Sequence, residues 1–315
     1  MNKAYCLRSA IVGFAMCWCA TGSAYAQNAG AQGSAADLLV TVEARRGTAV
    51  PEIRSGDVMV YEGRDRDQVV DLVPAQGDRA ALELFILLDD GSDSGLGSQL
   101  NELRQFILAQ PASTKVGVAY MRNGSSLVEQ NPTSDHALAA KALRLPMGIG
   151  GINGSPYFSV SDLVKRWPES SARREVLMAT DGIDRYYGSG DPQDPYLDAA
   201  IDDATRAGIV VFAIYNPGVG HLGHSYWQNY WGQIYLSRLA EETGGEGYSI
   251  GFTGNPVSFS PYLEDMARHL SNQYWVAFNP KPQKKNGWQR IKVTTEVPNA
   301  EMVAPAKVWV LAATP

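Results

Sequence analysis

The chain has 315 residues, 45% of them hydrophobic and 19% charged, with a formal net charge of −6. That length is enough to bury a sizeable core. The acidic balance, with no run of Lys or Arg beyond the pair Lys284-Lys285, disfavours nucleic acid and anionic lipid as partners.

Read from its start, the chain opens with Lys3 and Arg8, followed by an apolar stretch from Ala10 to Ala20 and then Ala24-Tyr25-Ala26. That is the layout of a secretory signal peptide, with cleavage expected ahead of Gln27. The apolar stretch is shorter than the roughly 20 residues a spanning helix needs. Residues 1–26 are therefore expected to be removed, leaving no integral membrane segment and an exported protein, periplasmic or secreted. The three cysteines, Cys6, Cys17 and Cys19, all fall in this segment. The mature chain then carries no thiol, which excludes cysteine nucleophiles, disulfides and Cys-ligated zinc. The segment also takes two positive side chains and no acid, so the mature charge becomes −8.

Residues 27–36 are small and polar and read as a flexible leader. From 37 to 79 the pattern is strand-only: Leu38 to Ala44, Val58 to Tyr61 and Val69 to Val73, separated by turn residues. From 80 to 273 the character changes. Leu82 to Leu88, Val176 to Ala179 and Ile209 to Ile214 are nearly continuous apolar runs, as expected of parallel strands covered on both faces. Helical spacing lies between and after them, in Leu96, Leu100, Leu103, Phe106 and Ile107 and again in Leu263, Met266, Ala267 and Leu270. The predicted fold class is α/β, a doubly wound and mostly parallel sheet. Residues 274–315 return to strands, at Tyr274 to Phe278, Ile291 to Val297 and Lys307 to Leu311. They are expected to meet the first strands in one small β unit built from both chain ends.

The chemistry falls where strands end. Asp90, Ser92 and Ser94 form Asp-x-Ser-x-Ser directly after one apolar run, and Thr180-Asp181-Gly182 follows another. Ligands of open α/β sheets bind at the carboxyl ends of the strands, where strand order reverses. Hydroxyls and carboxylates are hard donors that suit Mg2+, Mn2+ or Ca2+. The competing reading is that Asp90 and the serines cap the following helix.

With the two motifs in this order, the chain resembles the von Willebrand factor A (VWA) family, and within it the bacterial VWFA-related subfamily. The resemblance extends to the terminal strands, through the segments Tyr274 to Pro280 and Gly287 to Val293. It implies a metal site made by Asp90, Ser92 and Ser94 of the first loop, a hydroxyl of a second loop, and Asp181 of the third. It implies Mg2+ (or Mn2+/Ca2+) as the ion, and protein–protein interaction or adhesion as the function, with a partner's Asp or Glu carboxylate completing the coordination. The sequence departs from the family pattern in the second loop, Gly150 to Pro156, which has no threonine; Ser155 is the hydroxyl available there. Asp93 stands where the family often has glycine.

Other features carry less. His221 and His224 lack a nearby acidic third ligand and read as an exposed loop. Tyr226, Trp227, Tyr230, Trp231 and Tyr235 suit a binding interface, although their helical spacing favours core packing. Tyr186 to Pro192 follows the third loop and is placed to shape partner choice, or is an ordinary polar turn. No catalytic residue is assigned: Gly154-Ser155-Pro156 is not a nucleophile elbow, and no phosphate loop is present. The alternatives are a metal-free interaction scaffold on the same fold and, less favoured, a metal-dependent hydrolase using Asp89 and Asp90.

Overall fold

Two sheets organise the chain. The computed structural model describes residues 36–92, 96–148, 154–187, 193–218, 225–249 and 258–312. The expected signal peptide, the expected leader before residue 36, Asp93, Ser94, the second-loop stretch 149–153 and both histidines of the 221–224 segment lie outside the described residues.

The central sheet has six strands in the order β6-β5-β4-β7-β8-β9. The apolar runs supply its middle, as β4 (Leu82–Asp89), β7 (Arg173–Thr180) and β8 (Ile209–Tyr215). These pair in parallel, with Leu88 opposite Ala179 and Thr180 opposite Tyr215. Parallel β5 (Thr114–Arg122) and antiparallel β6 (Ser125–Thr133) extend one side, and the short β9 (Gly247–Tyr248) closes the other. Residues of β4 alternate between two cores. Leu84, Ile86 and Leu88 pack with α1 (Gly97–Leu108), α2 (His136–Lys141) and α6 (Ser260–Ser271). Phe85 and Leu87 pack with α3 (Pro156–Arg166), α4 (Pro195–Arg206) and α5 (Tyr226–Thr243). Burial on both faces explains why these strands read as unbroken apolar runs.

From β4 the chain moves to β5 on one side and later returns to β7 on the other. The crevice at the carboxyl ends of β4 and β7 is therefore a topological switch point. Asp90 and Asp181 both stand there, as expected from the need to bring the two motifs to one edge.

The chain ends form a second, antiparallel sheet of seven strands. It comprises β1 (Ala36–Ala44), β2 (Val58–Glu62), β3 (Asp65–Pro74), β10 (Gln273–Asn279), β11 (Gly287–Thr295), β12 (Ala300–Val303) and β13 (Lys307–Val310), in the order β12-β1-β10-β3-β2-β11-β13. The amino-terminal strands interleave with the carboxy-terminal ones: β1 lies between β10 and β12, and β2 pairs with β11. Leu38, Val40, Val42, Val60, Val276 and Phe278 fill its own core.

The two sheets meet at the amino-terminal edge of the parallel one. Arg173, first residue of β7, donates to the carbonyls of Leu270 and Ala80 and to Gln273. Arg206, last residue of α4, lies 3.9 Å over the Trp309 ring, and Lys307 reaches Asp202. The carboxyl edge is consequently left at the far end from the β unit.

Candidate functional site

Consecutive residues of a strand point to opposite faces, and this decides the geometry of the first motif. Asp89 continues the Phe85–Leu87 face. It is 6% exposed and accepts hydrogen bonds from the Gly91 amide (2.9 Å) and the Thr180 hydroxyl (2.7 Å). Burial, and then the neighbouring Asp181, push its carboxyl up to about 6, against the lowering effect of those hydrogen bonds and of Arg185.

Asp90 turns to the other face and is fully buried. Arg144 grips it with both guanidinium nitrogens, Nη1 to Oδ1 at 2.7 Å and Nη2 to Oδ2 at 3.3 Å. The Met147 amide adds a third hydrogen bond at 3.0 Å, and Arg122 Nε lies 3.9 Å away. Arg144 is itself held in place. The Tyr120 hydroxyl accepts from its amide (2.7 Å) and donates to its carbonyl (2.6 Å). The Tyr120 ring lies 3.8 Å from the guanidinium, and Glu129 accepts from Nε at 3.0 Å.

Asp181 is fully buried with the Asp89 group. Its Oδ1 accepts from the Ile183 amide at 3.0 Å, and its Oδ2 meets Arg185 Nη2 at 2.5 Å. Gly232 of α5 sits directly on this loop: a Cβ there would come within 2.1 Å of the Asp181 carbonyl oxygen. Tyr157 anchors the same loop, donating to the Gly182 carbonyl at 2.6 Å.

The other predicted site residues that are described, Ser92 and Ser155, are engaged by neighbouring side chains and amides. Ser92 accepts from Asn216 Nδ2 at 3.2 Å. Ser155 caps α3, accepting from the Phe158 amide at 3.3 Å, and donates to Asp184 at 2.7 Å. Asp184 in turn accepts from the amides of Tyr186 and Tyr187. Capping, which the sequence offered for the first-loop residues, is thus the role of Ser155.

The structure therefore brings Asp89, Thr180, Asp181 and Arg185 together, and sets Asp90 with Arg144 on the opposite face of the sheet. Asp89, Arg144 and Arg185 are not among the residues that the sequence motifs assign to the site. The Asp-x-Ser-x-Ser pattern begins at Asp90 and passes over its neighbour, and a guanidinium 54 positions away leaves no local signal.

Against a divalent cation this arrangement does not fit. Asp90 and Asp181 are each matched by a guanidinium, and the Ser155 hydroxyl is bound to Asp184. Among the described residues no group of three or more His, Cys, Asp or Glu side chains is placed to hold a metal ion.

Around the same edge, aromatic side chains reach solvent. Tyr186 and Tyr187, after β7, are 57% and 44% exposed; Tyr226 and Trp227, opening α5 after β8, are 60% and 64% exposed. The first pair packs on Tyr196 and, through Tyr186, on Phe158; the second contacts Tyr230. Core packing, expected for the whole Tyr226 to Tyr235 cluster, holds for Tyr235, which is buried.

No family profile and no curated protein matches the chain. Solved structures do. The vWF domain of the type V pili tip protein from Porphyromonas gingivalis matches at 11% identity and a TM-score of 0.42, covering 60% of this chain and 94% of that one. An aerotolerance-related membrane protein from Bacteroides fragilis matches at 14% identity and 0.40, covering 60% and 98%. The VWA domain of SpRpn10 matches at 13% and 0.31, covering 51% and 85%. Some other matched chains are longer, and this one spans less than half of them. The structural neighbours thus include VWA domains at a distance, and the fold class itself is read from the strand order and connections above.

Proposed function

We propose that the chain is an exported binding module of VWA-like fold that recognises a protein partner through the carboxyl edge of its parallel sheet. The observation that carries this reading is the exposed Tyr186, Tyr187, Tyr226 and Trp227 at that edge. Tyr and Trp are enriched among the residues that dominate binding energy, because they combine a large apolar face with a hydrogen-bonding tip. Loops held on a rigid sheet are the usual carriers of recognition. Among the described residues no helix is long and apolar enough to cross a membrane.

Binding without turnover is supported by the register of β4. A two-aspartate hydrolase needs both carboxylates at one reacting atom, whereas Asp89 and Asp90 serve opposite faces.

The test is site-specific photocrosslinking in the cells that export the protein. A benzophenone side chain in place of Trp227 is expected to give a discrete protein adduct. The same group in place of Val70, exposed on β3 of the other sheet, is expected to give none. Adducts from position 70 alone, or from neither position, would refute the assignment of the edge.

A further inference from the structure

We infer that two arginine–aspartate pairs, Arg144 with Asp90 and Arg185 with Asp181, take the place of a divalent cation at this edge, so that the face is organised without metal. The inference rests on the proposed reading only where it calls this edge the binding face.

Register comes first. Asp90 follows β4 and its carboxylate meets Arg144 and the Met147 amide, while Asp181 follows β7 and its carboxylate meets Arg185 and the Ile183 amide. The end of β4 is itself fixed, since the Asp90 amide bonds to the Met121 carbonyl.

Occupancy comes second. The Asp90 carboxylate, fully buried, already has two guanidinium nitrogens and an amide. Bidentate Arg–carboxylate pairing is among the strongest and most directional charge-assisted contacts. Arg144 is also fixed before it meets Asp90: Tyr120 holds its backbone on both sides and its guanidinium on the ring face, and Glu129 holds Nε. A charge so preorganised does not have to be ordered when it binds.

Charge comes third. A hard dication must shed water and find anionic oxygens to replace it. The Asp90 and Asp181 carboxylates each hold a guanidinium, so an ion entering at either would have to expel it and leave that cation without its buried partner. The sequence departure agrees: the second loop offers Ser155 in place of a threonine, and that hydroxyl is spent on Asp184 and the α3 cap.

The experiment uses the purified chain in EDTA and in millimolar MgCl2, MnCl2 or CaCl2. Thermal midpoint is followed throughout, and free Mn2+ is read by electron paramagnetic resonance. The expected result is one midpoint in all four solutions and no loss of the free Mn2+ signal. A cation-dependent rise in midpoint, or Mn2+ uptake that Asp181→Asn abolishes, would overturn the inference.

Crosslinking from position 227, repeated in EDTA and in MgCl2, separates the two readings. Equal adducts in both support metal-free recognition. An adduct formed only with Mg2+ overturns the inference and leaves the edge as the binding face. Loss of the adduct in both solutions, with no Mn2+ uptake, removes the proposed function while the metal-free site stands.

Discussion

Arg144 and Asp90 show how much one pair is asked to do. Asp90 has no exposure at all, and its charge is offset by a side chain on the loop after α2. Breaking such a pair from one side strands a buried charge, which typically costs several kcal/mol, whereas replacing both partners costs far less. Arg144→Met is therefore expected to destabilise the fold by about 3 kcal/mol. Asp90→Asn combined with Arg144→Met should recover much of that loss, read from urea denaturation midpoints. Equal stability of the single variant and the wild type would show that the pair carries little. At this scale the sequence is legible for position but not for partners. Asp90, Ser92, Ser155 and Asp181 can be placed at one sheet edge from the apolar runs before them and their order. Arg144 and Arg185 cannot, because an isolated arginine in a loop has no pattern until the fold brings it to a carboxylate.

Strand β7 illustrates the same limit for an element. Its apolar residues Val176 to Ala179 announce a buried parallel strand, yet Glu175 just before them is also fully buried. Among the described residues its carboxylate oxygens have no hydrogen bond of good geometry, with Gln273 near and Arg173 3.8 Å away. Burial raises its pKa from 4.5 to about 7, with Arg173 and Gln273 offsetting part of the rise. The folded-state value lies above the unfolded one, so folding favours the neutral acid. Its contribution to stability is full below the ordinary glutamate range and is lost as pH rises through about 7. Glu175→Gln is expected to flatten the pH dependence between pH 5 and 8. It should also add about 3 kcal/mol at the alkaline end, since each tenfold change in proton affinity between the folded and unfolded chain is worth ~1.4 kcal/mol. Urea titrations of both proteins across that range check it; parallel curves would contradict the assignment. Other elements are less legible. Strand β5 is interrupted by Lys115 and by Gly117, whose missing side chain admits the Phe85 ring. Helix α5 mixes buried Tyr235 and Leu236 with exposed Tyr226 and Trp227, so no single apolar stripe marks its face.

On the scale of the whole molecule, the joined chain ends and the candidate site stand at opposite edges of the parallel sheet. The chain ends interleave in one antiparallel sheet, and that sheet is fastened to the amino-terminal edge of the parallel one. The fastening runs through Arg173, through Arg206 over Trp309, and through the Ala306 amide to the Glu242 carbonyl at the end of α5. His269, 3.3 Å from both Glu43 of β1 and Asp265 of its own helix, lies at the same junction. This general plan is legible because strand-only patterning at both ends flanks an alternating middle, and short strands with exposed edges need partners. The interleaving itself is not, since antiparallel register is set by long-range packing that no local pattern encodes. On the proposed reading, the face offered to a partner is the opposite edge, with its exposed aromatic residues and arginine-matched aspartates. The most direct measurement is a crystal structure of the chain soaked in Mn2+, read by anomalous scattering. A metal-free edge should give no manganese peak there, with Arg144 on Asp90 and Arg185 on Asp181. A manganese ion bound by Ser92 and Asp181, with the two arginines displaced, would contradict it.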